Sequence, residues 1–146
     1  MNEAAEGKKK WVLVVDDEPG FRDMLQWYLK GHNIQVESAQ DGAEAVERAS
    51  QGKYSLIVTD LTMPRLDGLK VLQEVRSKLP GTAVIIVTGF GTVEVAVEAM
   101  RAGASDFILK PFDVEVLAGR IKRALAGDDA ERQKTERGNH AEDTDR

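Results

Sequence analysis

The 146-residue chain contains no cysteine and only two histidines. Without cysteine there are no disulfides, no thiol catalysis and no cysteine-ligated zinc or iron–sulfur site. With His32 and His140 as the only imidazoles, a multi-histidine metal site is also excluded. No apolar run approaches the roughly 18 residues that a membrane-spanning helix requires. Near the start, Lys8-Lys9-Lys10 is followed by only Trp11 to Val15 before two aspartates. That apolar stretch is too short for a secretory signal, so a cytoplasmic protein with no membrane association is expected. Neither a GxxxxGK[ST] loop nor a GxGxxG follows the first apolar run, which argues against a nucleotide cradle. A formal net charge of -5 is a poor match for nonspecific nucleic-acid binding.

What is present describes one globular domain with hydrophilic ends. The chain is 42% hydrophobic and 31% charged, a composition that can build a core without disulfides or a structural metal. Residues 1–10 carry two acids and three lysines, a net +1. Residues 127–146 carry seven acids and four bases, a net -3, and their only apolar residues are Ala130 and Ala141. Such a segment buries too little to offset its ordering entropy. The expected organisation is an N-terminal arm (1–10), a folded domain (11–126) and a disordered tail or linker (127–146).

Two hydrophobic periods alternate along the domain. Short β-branched runs occur at Trp11–Val15, Ile34–Glu37, Leu56–Thr59, Ala83–Val87 and Phe107–Leu109. The first, third and fourth are nearly continuous, as in parallel strands covered on both faces. Helical stripes lie between them. Phe21, Met24, Leu25, Tyr28 and Leu29 form the first, and Ala45, Val46 and Ala49 a weaker second. Leu69, Leu72, Val75 and Leu79 form the third, Val93, Val97 and Met100 the fourth, and Val114, Leu117, Ile121 and Leu125 the fifth. Pro19 suits a first helical turn. Gly31, Gly52 and Gly103 follow three of the stripes, where a left-handed cap favours glycine. Trp27 and Tyr28 read as core and rim aromatics, and His32 as a turn residue. The pattern is an α/β domain: an open five-stranded parallel sheet with five helices on its two faces, a three-layer αβα arrangement.

In open α/β sheets, sites form outside the carboxyl ends of the strands. The first run ends in Asp16-Asp17-Glu18, the third in Asp60, the fourth in Thr88 and the fifth in Lys110-Pro111. Each residue alone has a mundane reading. Asp16 and Asp17 can cap a helix, Asp60 can sit in a loop, Thr88 in a turn, and Lys110 can be a solvated charge. Together, at one edge, they form a constellation. Clustered carboxylates repel and are costly without a cation. Magnesium suits one to three carboxylates with waters and a phosphoryl oxygen. Lys110 can hold a phosphate or pair with Asp60, and Thr88 can donate a hydrogen bond to a phosphoryl oxygen. The chemistry indicated is a carboxylate nucleophile beside a metal, as in aspartyl-phosphate formation.

The stretches VLVVDDEPGFRDML, LIVTDLTMPRLDGLKVL, AVIIVTGFGTVEVAVEAM and GASDFILKPF, in that order, resemble the receiver domain of two-component response regulators. TGFGTVEVAVEAMRAGASDF most resembles receivers attached to sigma-54 activators. The resemblance covers residues 11–126 and implies a flavodoxin-like sheet of strand order 2-1-3-4-5. It implies that Asp60 is the phosphoacceptor. It also implies that Mg2+ is held by Asp17, Asp60, the backbone carbonyl of Thr62, and Asp16 through water. Thr88 and Lys110 become phosphoryl contacts, Phe107 the switch aromatic (often tyrosine in the family), and Lys110–Pro111 a cis peptide. Thr62 and Phe90 occupy positions that tune dephosphorylation, and bulky Phe90 is expected to impede water. Met63-Pro64 and Asp67-Gly68 form the turn into the third helix, with Gly68 free to adopt conformations other residues resist.

The partners implied are a sensor histidine kinase or a histidine phosphotransfer protein. The surface of the fourth helix, fifth strand and fifth helix is the candidate for output and for a phosphorylation-dependent homodimer, and the apolar spread of Val93, Val95, Val97 and Met100 fits partial exposure there. The chain is then not an enzyme in the turnover sense, catalysing only its own phosphorylation and slow dephosphorylation. No helix-turn-helix pattern lies in 127–146, so specific DNA binding by this chain is not expected. Two outputs remain open: a stand-alone module, or the regulatory part of a longer transcription factor. A haloacid-dehalogenase-type phosphohydrolase is disfavoured because the first strand ends D-D-E rather than D-x-D. A flavodoxin is disfavoured because the acidic loop would repel a flavin phosphate.

Overall fold

The computed structural model describes residues 10–61, 68–89 and 91–127. Five strands form one parallel sheet: β1 (Trp11–Val15), β2 (Gln35–Ala39), β3 (Leu56–Thr59), β4 (Ala83–Thr88) and β5 (Asp106–Leu109). The helices between them are α1 (Pro19–Lys30), α2 (Gly42–Ala49), α3 (Gly68–Lys78) and α4 (Val93–Arg101), and α5 follows over residues 114–127. The sheet order is β2-β1-β3-β4-β5, the flavodoxin-like order that the resemblance implied. All four pairings are parallel, with Val15 beside Ala39 and Thr59 at the carboxyl end of the two ladders that β1 makes.

The period-2 alternation of each strand divides the core in two. Leu13, Val15, Ile57, Val84 and Ile86 face α2, α3 and α4, where they meet Ala45, Ala49, Val71, Leu72, Val75 and Ala99. Val12, Val14, Leu56, Val58, Ile85, Val87 and Ile108 face the other way, onto Leu25 and Leu29 of α1 and Leu117, Ile121 and Leu125 of α5. The central strands are thus covered on both faces, which is why their sequences read as unbroken apolar runs. Each fully buried Leu or Ile contributes about 1.5–3 kcal/mol.

Local signals set the helix starts. Pro19 occupies the first turn of α1. At α2, the Asp41 carboxylate accepts from Glu44 N while Glu44 accepts from Gln40 N, a reciprocal cap. At α4, Thr92 Oγ1 accepts from Val95 N.

Three sequence readings are corrected. Gly31 is right-handed, at φ -65°; Asn33, at φ 64°, makes the left-handed turn instead. The chain winds two residues further before Ile34 N reaches Leu29 O. Gly52 and Gly103 do take positive φ, as the stripes suggested. Trp27 is no core residue: it is 77% exposed, because the buried side of α1 is carried by Leu25 and Leu29. Gly68 is not a positive-φ position either. A Cβ there would overlap the Asp60 carbonyl oxygen and come within 2.8 Å of Leu61 Cα, so glycine is required for close approach. His32 does lie in the turn after α1, stacked on Tyr28 with ring centroids 4.7 Å apart.

Most of the arm and of the tail lies outside the described residues, as do Thr62, Met63, Pro64, Asp67 and Phe90. Among the described residues no helix is long and apolar enough to cross a membrane.

Candidate functional site

The strand order reverses between β1 and β3, and the carboxyl ends of those two strands lie side by side. Such a switch point opens a crevice above the sheet. Asp16 and Asp60 follow β1 and β3 directly. Asp16 N bonds to Ala39 O and Asp60 N to Val15 O, so both residues are extensions of the parallel ladders. Asp16 and Asp60 are buried and Asp17 is exposed. One carboxylate oxygen from each of the three lies within 4.8 Å of the other two.

These acids are not helix caps. The N-cap of α1 is Glu18, whose side chain makes no capping bond. Asp16 Oδ1 instead accepts from Glu18 N at 2.9 Å, and Arg22 Nη1 donates to the Asp16 carbonyl at 2.7 Å. The turn after β1 is therefore pinned on both sides of Asp16.

Lys110 enters from the end of β5, its backbone N bonded to Thr88 O. The Lys110–Pro111 peptide is cis. Its Nζ lies 3.0 Å from Asp16 Oδ2, 3.4 Å from Asp60 Oδ2 and 3.6 Å from Glu18 Oε1. The ammonium is thus nearer Asp16 than Asp60, the partner the sequence suggested. Burial works against the charged lysine, but the Asp16 hydrogen bond and the charges of Asp16, Asp60 and Glu18 outweigh it and raise its pKa. For Asp16 the balance is reversed. Burial pushes its carboxyl up, and the Glu18 N–H and Lys110 only partly oppose this. Thr88 is fully buried at the end of β4. Phe107 is half-buried against the α4 face of the core, and a Cβ on Gly91 would fall 2.8 Å from its ring.

Sequence reasoning overlooked four residues at this edge. Glu18 and Arg22 engage Lys110 and the Asp16 carbonyl. The Phe21 ring lies beneath Lys110 Nζ, 4.6 Å from its centroid, and packs edge-on against Phe112 at 5.9 Å. Phe21 stands in the first apolar helical stripe, which by itself says nothing of a lysine contact. Its signal was its place in the first turn of a helix that begins at the carboxyl edge.

Three carboxylates present only hard oxygen donors, a set suited to a magnesium- or calcium-like dication. The donor set fits such an ion, and it needs neither the absent cysteines nor the two histidines. The arrangement joins two buried carboxylates, an exposed one and a lysine at a switch point, with buried Thr88 at the end of β4. That defines the class: an α/β module with an acidic, lysine-bearing site at its carboxyl edge. The chain belongs to the response regulator receiver domain family, whose model matches residues 12–122. Such domains are the phosphoacceptor switches of two-component systems.

Over 115 residues the chain is 36% identical to transcriptional regulatory protein ZraR of Escherichia coli K12, a match covering 79% of this chain and 26% of that protein. The chain therefore spans about a quarter of the length of that relative. Among solved structures, a CheY-like receiver domain protein from Methanospirillum hungatei JF-1 superposes with a TM-score of 0.81 at 28% identity, covering 84% of this chain and 98% of that one. The beryllofluoride-activated NtrC4 receiver domain dimer gives 0.77 at 34% identity, covering 81% and 98%.

Proposed function

We propose that Asp60 is the phosphoacceptor of this receiver domain, with a sensor histidine kinase or a histidine phosphotransfer protein as donor. One observation carries the reading: Asp60 is a buried carboxylate at the switch point, with Lys110 Nζ at 3.4 Å and the Asp16 and Asp17 oxygens within 4.8 Å. A carboxylate oxygen of Asp60 attacks phosphorus in line. The new O–P bond forms as the P–N bond to the donor imidazole breaks, and the imidazole leaves with the electron pair. Lys110 is close enough to meet the phosphoryl oxygens, so the catalysis is mainly electrostatic. Mg2+ would be held by Asp17, Asp60 and the Thr62 carbonyl, with Asp16 acting through water. Bound there, it supplies positive charge that offsets repulsion between the acids and the phosphoryl group.

Thr88 then hydrogen-bonds the phosphoryl group and Phe107 takes up the space it leaves, biasing a two-state surface. That surface is α4, β5 and α5. It exposes Val93, Val97, Met100, Leu109 and Val116, an apolar patch suited to a phosphorylation-dependent homodimer. The solved NtrC4 receiver of similar fold is described as a beryllofluoride-activated dimer, which supports this reading. Thr62 and Phe90 set the dephosphorylation rate, and the chain turns over no other substrate. A cytoplasmic location fits the kinase donor.

The test is phosphorylation with acetyl phosphate and Mg2+, read by intact mass and by acid-labile phosphate. The parent gains one phosphoryl group and Asp60→Asn gains none. Equal incorporation by Asp60→Asn overturns the assignment.

A further inference from the structure

We infer that Phe21 is a positioning residue for Lys110: its ring, braced by Phe112, forms an aromatic seat that holds the ammonium at the acceptor edge. This rests on the reading of Asp60 as acceptor. Three facts support it. The Phe21 centroid is 4.6 Å from Lys110 Nζ, within the 6 Å or so over which a ring face attracts a cation. The Phe21 and Phe112 rings meet at 87°, centroids 5.9 Å apart, so Phe21 is fixed by a second aromatic two residues beyond the lysine. Both rings also pack against the buried cluster of Leu25, Leu117 and Ile121, which anchors the seat to α1 and α5.

The seat differs in kind from the other partners of Lys110. Asp16, Asp60 and Glu18 hold the ammonium by charge. That hold weakens whenever a cation or a phosphoryl group engages the same carboxylates. The attraction of the ring face does not depend on those acids. Phe21 therefore keeps the long, rotamer-rich lysine aimed inward when its anionic partners are occupied, which limits the ordering entropy to be lost as the phosphoryl group arrives.

The experiment uses the full chain with acetyl phosphate, with Phe21→Leu, Phe21→Trp and Asp60→Asn compared with the parent. Leucine keeps the site apolar and removes the ring face; tryptophan restores a stronger one. Phe21→Leu is expected to slow the maximal phosphorylation rate at saturating Mg2+ by about 3- to 30-fold. The apparent Mg2+ affinity stays unchanged, and Phe21→Trp recovers most of the rate. In NMR spectra, the Lys110 ε-methylene protons lose their upfield ring-current shift in Phe21→Leu and keep one in Phe21→Trp. A parent-like rate in Phe21→Leu overturns the inference, as does a parent-like lysine shift. A Phe21→Trp rate as low as that of Phe21→Leu overturns it too, because packing rather than the ring face would then be responsible. If the parent itself takes no phosphoryl group, or Asp60→Asn takes one, the acceptor reading fails instead, so the two failures are distinguishable.

Discussion

Replacing glycine by alanine should have opposite effects at two positions of this chain. At Gly68, the first residue of α3, Gly68 N bonds to Leu61 O at 2.8 Å and closes the β3–α3 connection. An added Cβ would overlap the Asp60 carbonyl oxygen and come within 2.8 Å of Leu61 Cα. Ordinary contact begins near 3.4 Å, and these neighbours are backbone, which cannot rotate away. The turn must move, at a cost of about 1–3 kcal/mol or somewhat more. At Gly119, inside α5 and exposed, nothing lies within 4 Å of the added Cβ. There alanine removes backbone entropy from the unfolded chain and stabilises by about 0.5–1 kcal/mol. For a domain of this size each kcal/mol moves Tm by about 4 °C. Gly68→Ala should therefore lower Tm by about 4–12 °C and Gly119→Ala raise it by about 2–4 °C, in far-UV circular dichroism melts checked by urea titration. Because the displaced atoms belong to Asp60, Gly68→Ala should also slow phosphorylation at temperatures where it is fully folded. A Gly68→Ala protein within about 0.5 kcal/mol of the parent would refute the close-approach argument.

Two further outcomes follow from the site and the patch. Burial raises the Asp16 carboxyl above its usual 3.8; the folded state then binds that proton more tightly than the unfolded state, so this contribution is complete below about 3.8 and is lost as pH rises through the folded value. Asp16→Asn should accordingly raise the metal-free Tm at neutral pH and abolish most of the rise that Mg2+ gives the parent; a lower metal-free Tm than the parent's would count against it. On the output face, Val97 is 43% exposed, so Val97→Glu should leave the unactivated monomer within about 0.5 kcal/mol of the parent. The same change should prevent any beryllofluoride-induced dimer seen by size-exclusion chromatography, and an undiminished dimer would remove Val97 from that interface.

What could be read from the sequence, and what could not, divides by the range of the interaction. β1 and β3 have the limits their apolar runs suggested, because central parallel strands are buried on both faces. β2 runs Gln35–Ala39 rather than Ile34–Glu37. It is an edge strand with polar Gln35, Glu37 and Ser38, and hydropathy alone marks such a strand poorly. The stripe on α4 located the helix, but its core contacts are the small Ala99 and half-buried Val95, while Val93, Val97 and Met100 face outward. Periodicity reports that a face is apolar, not that something covers it. At the site, the strand-end rule gathered Asp16, Asp60, Thr88 and Lys110 to one edge. It could not rank the partners of Lys110, since the preference for Asp16 over Asp60 depends on how the turn after β1 is pinned by Glu18 and Arg22. Nor could it separate the two duties of Phe21, which packs against the core and also lies beneath the lysine.

The charge at this edge explains why the site is arranged as it is. Asp16, Asp17 and Asp60 with the single ammonium of Lys110 leave a formal charge of -2, before exposed Glu18 is considered. One dication brings that group to neutrality, and a monovalent ion does not. A phosphoryl donor is itself an anion, so an edge left at -2 repels the reactant it is meant to receive. Lys110 cannot correct this alone, because its charge is already counted in that sum. The pairing is nevertheless useful. By engaging Asp16, the ammonium limits the cost of burying that carboxylate while also bonding Asp60. Asp60 Oδ2, at 3.4 Å, also accepts from that ammonium, so the lysine's field covers both buried carboxylates. If Asp60 is the proposed acceptor, a lysine drawn closer to it would lower the carboxylate's energy and weaken it as a nucleophile. On the proposed reading, the stability given up in placing Asp16 at zero exposure has a chemical return: it holds the lysine's shorter bond on Asp16 and leaves the longer one to the proposed acceptor.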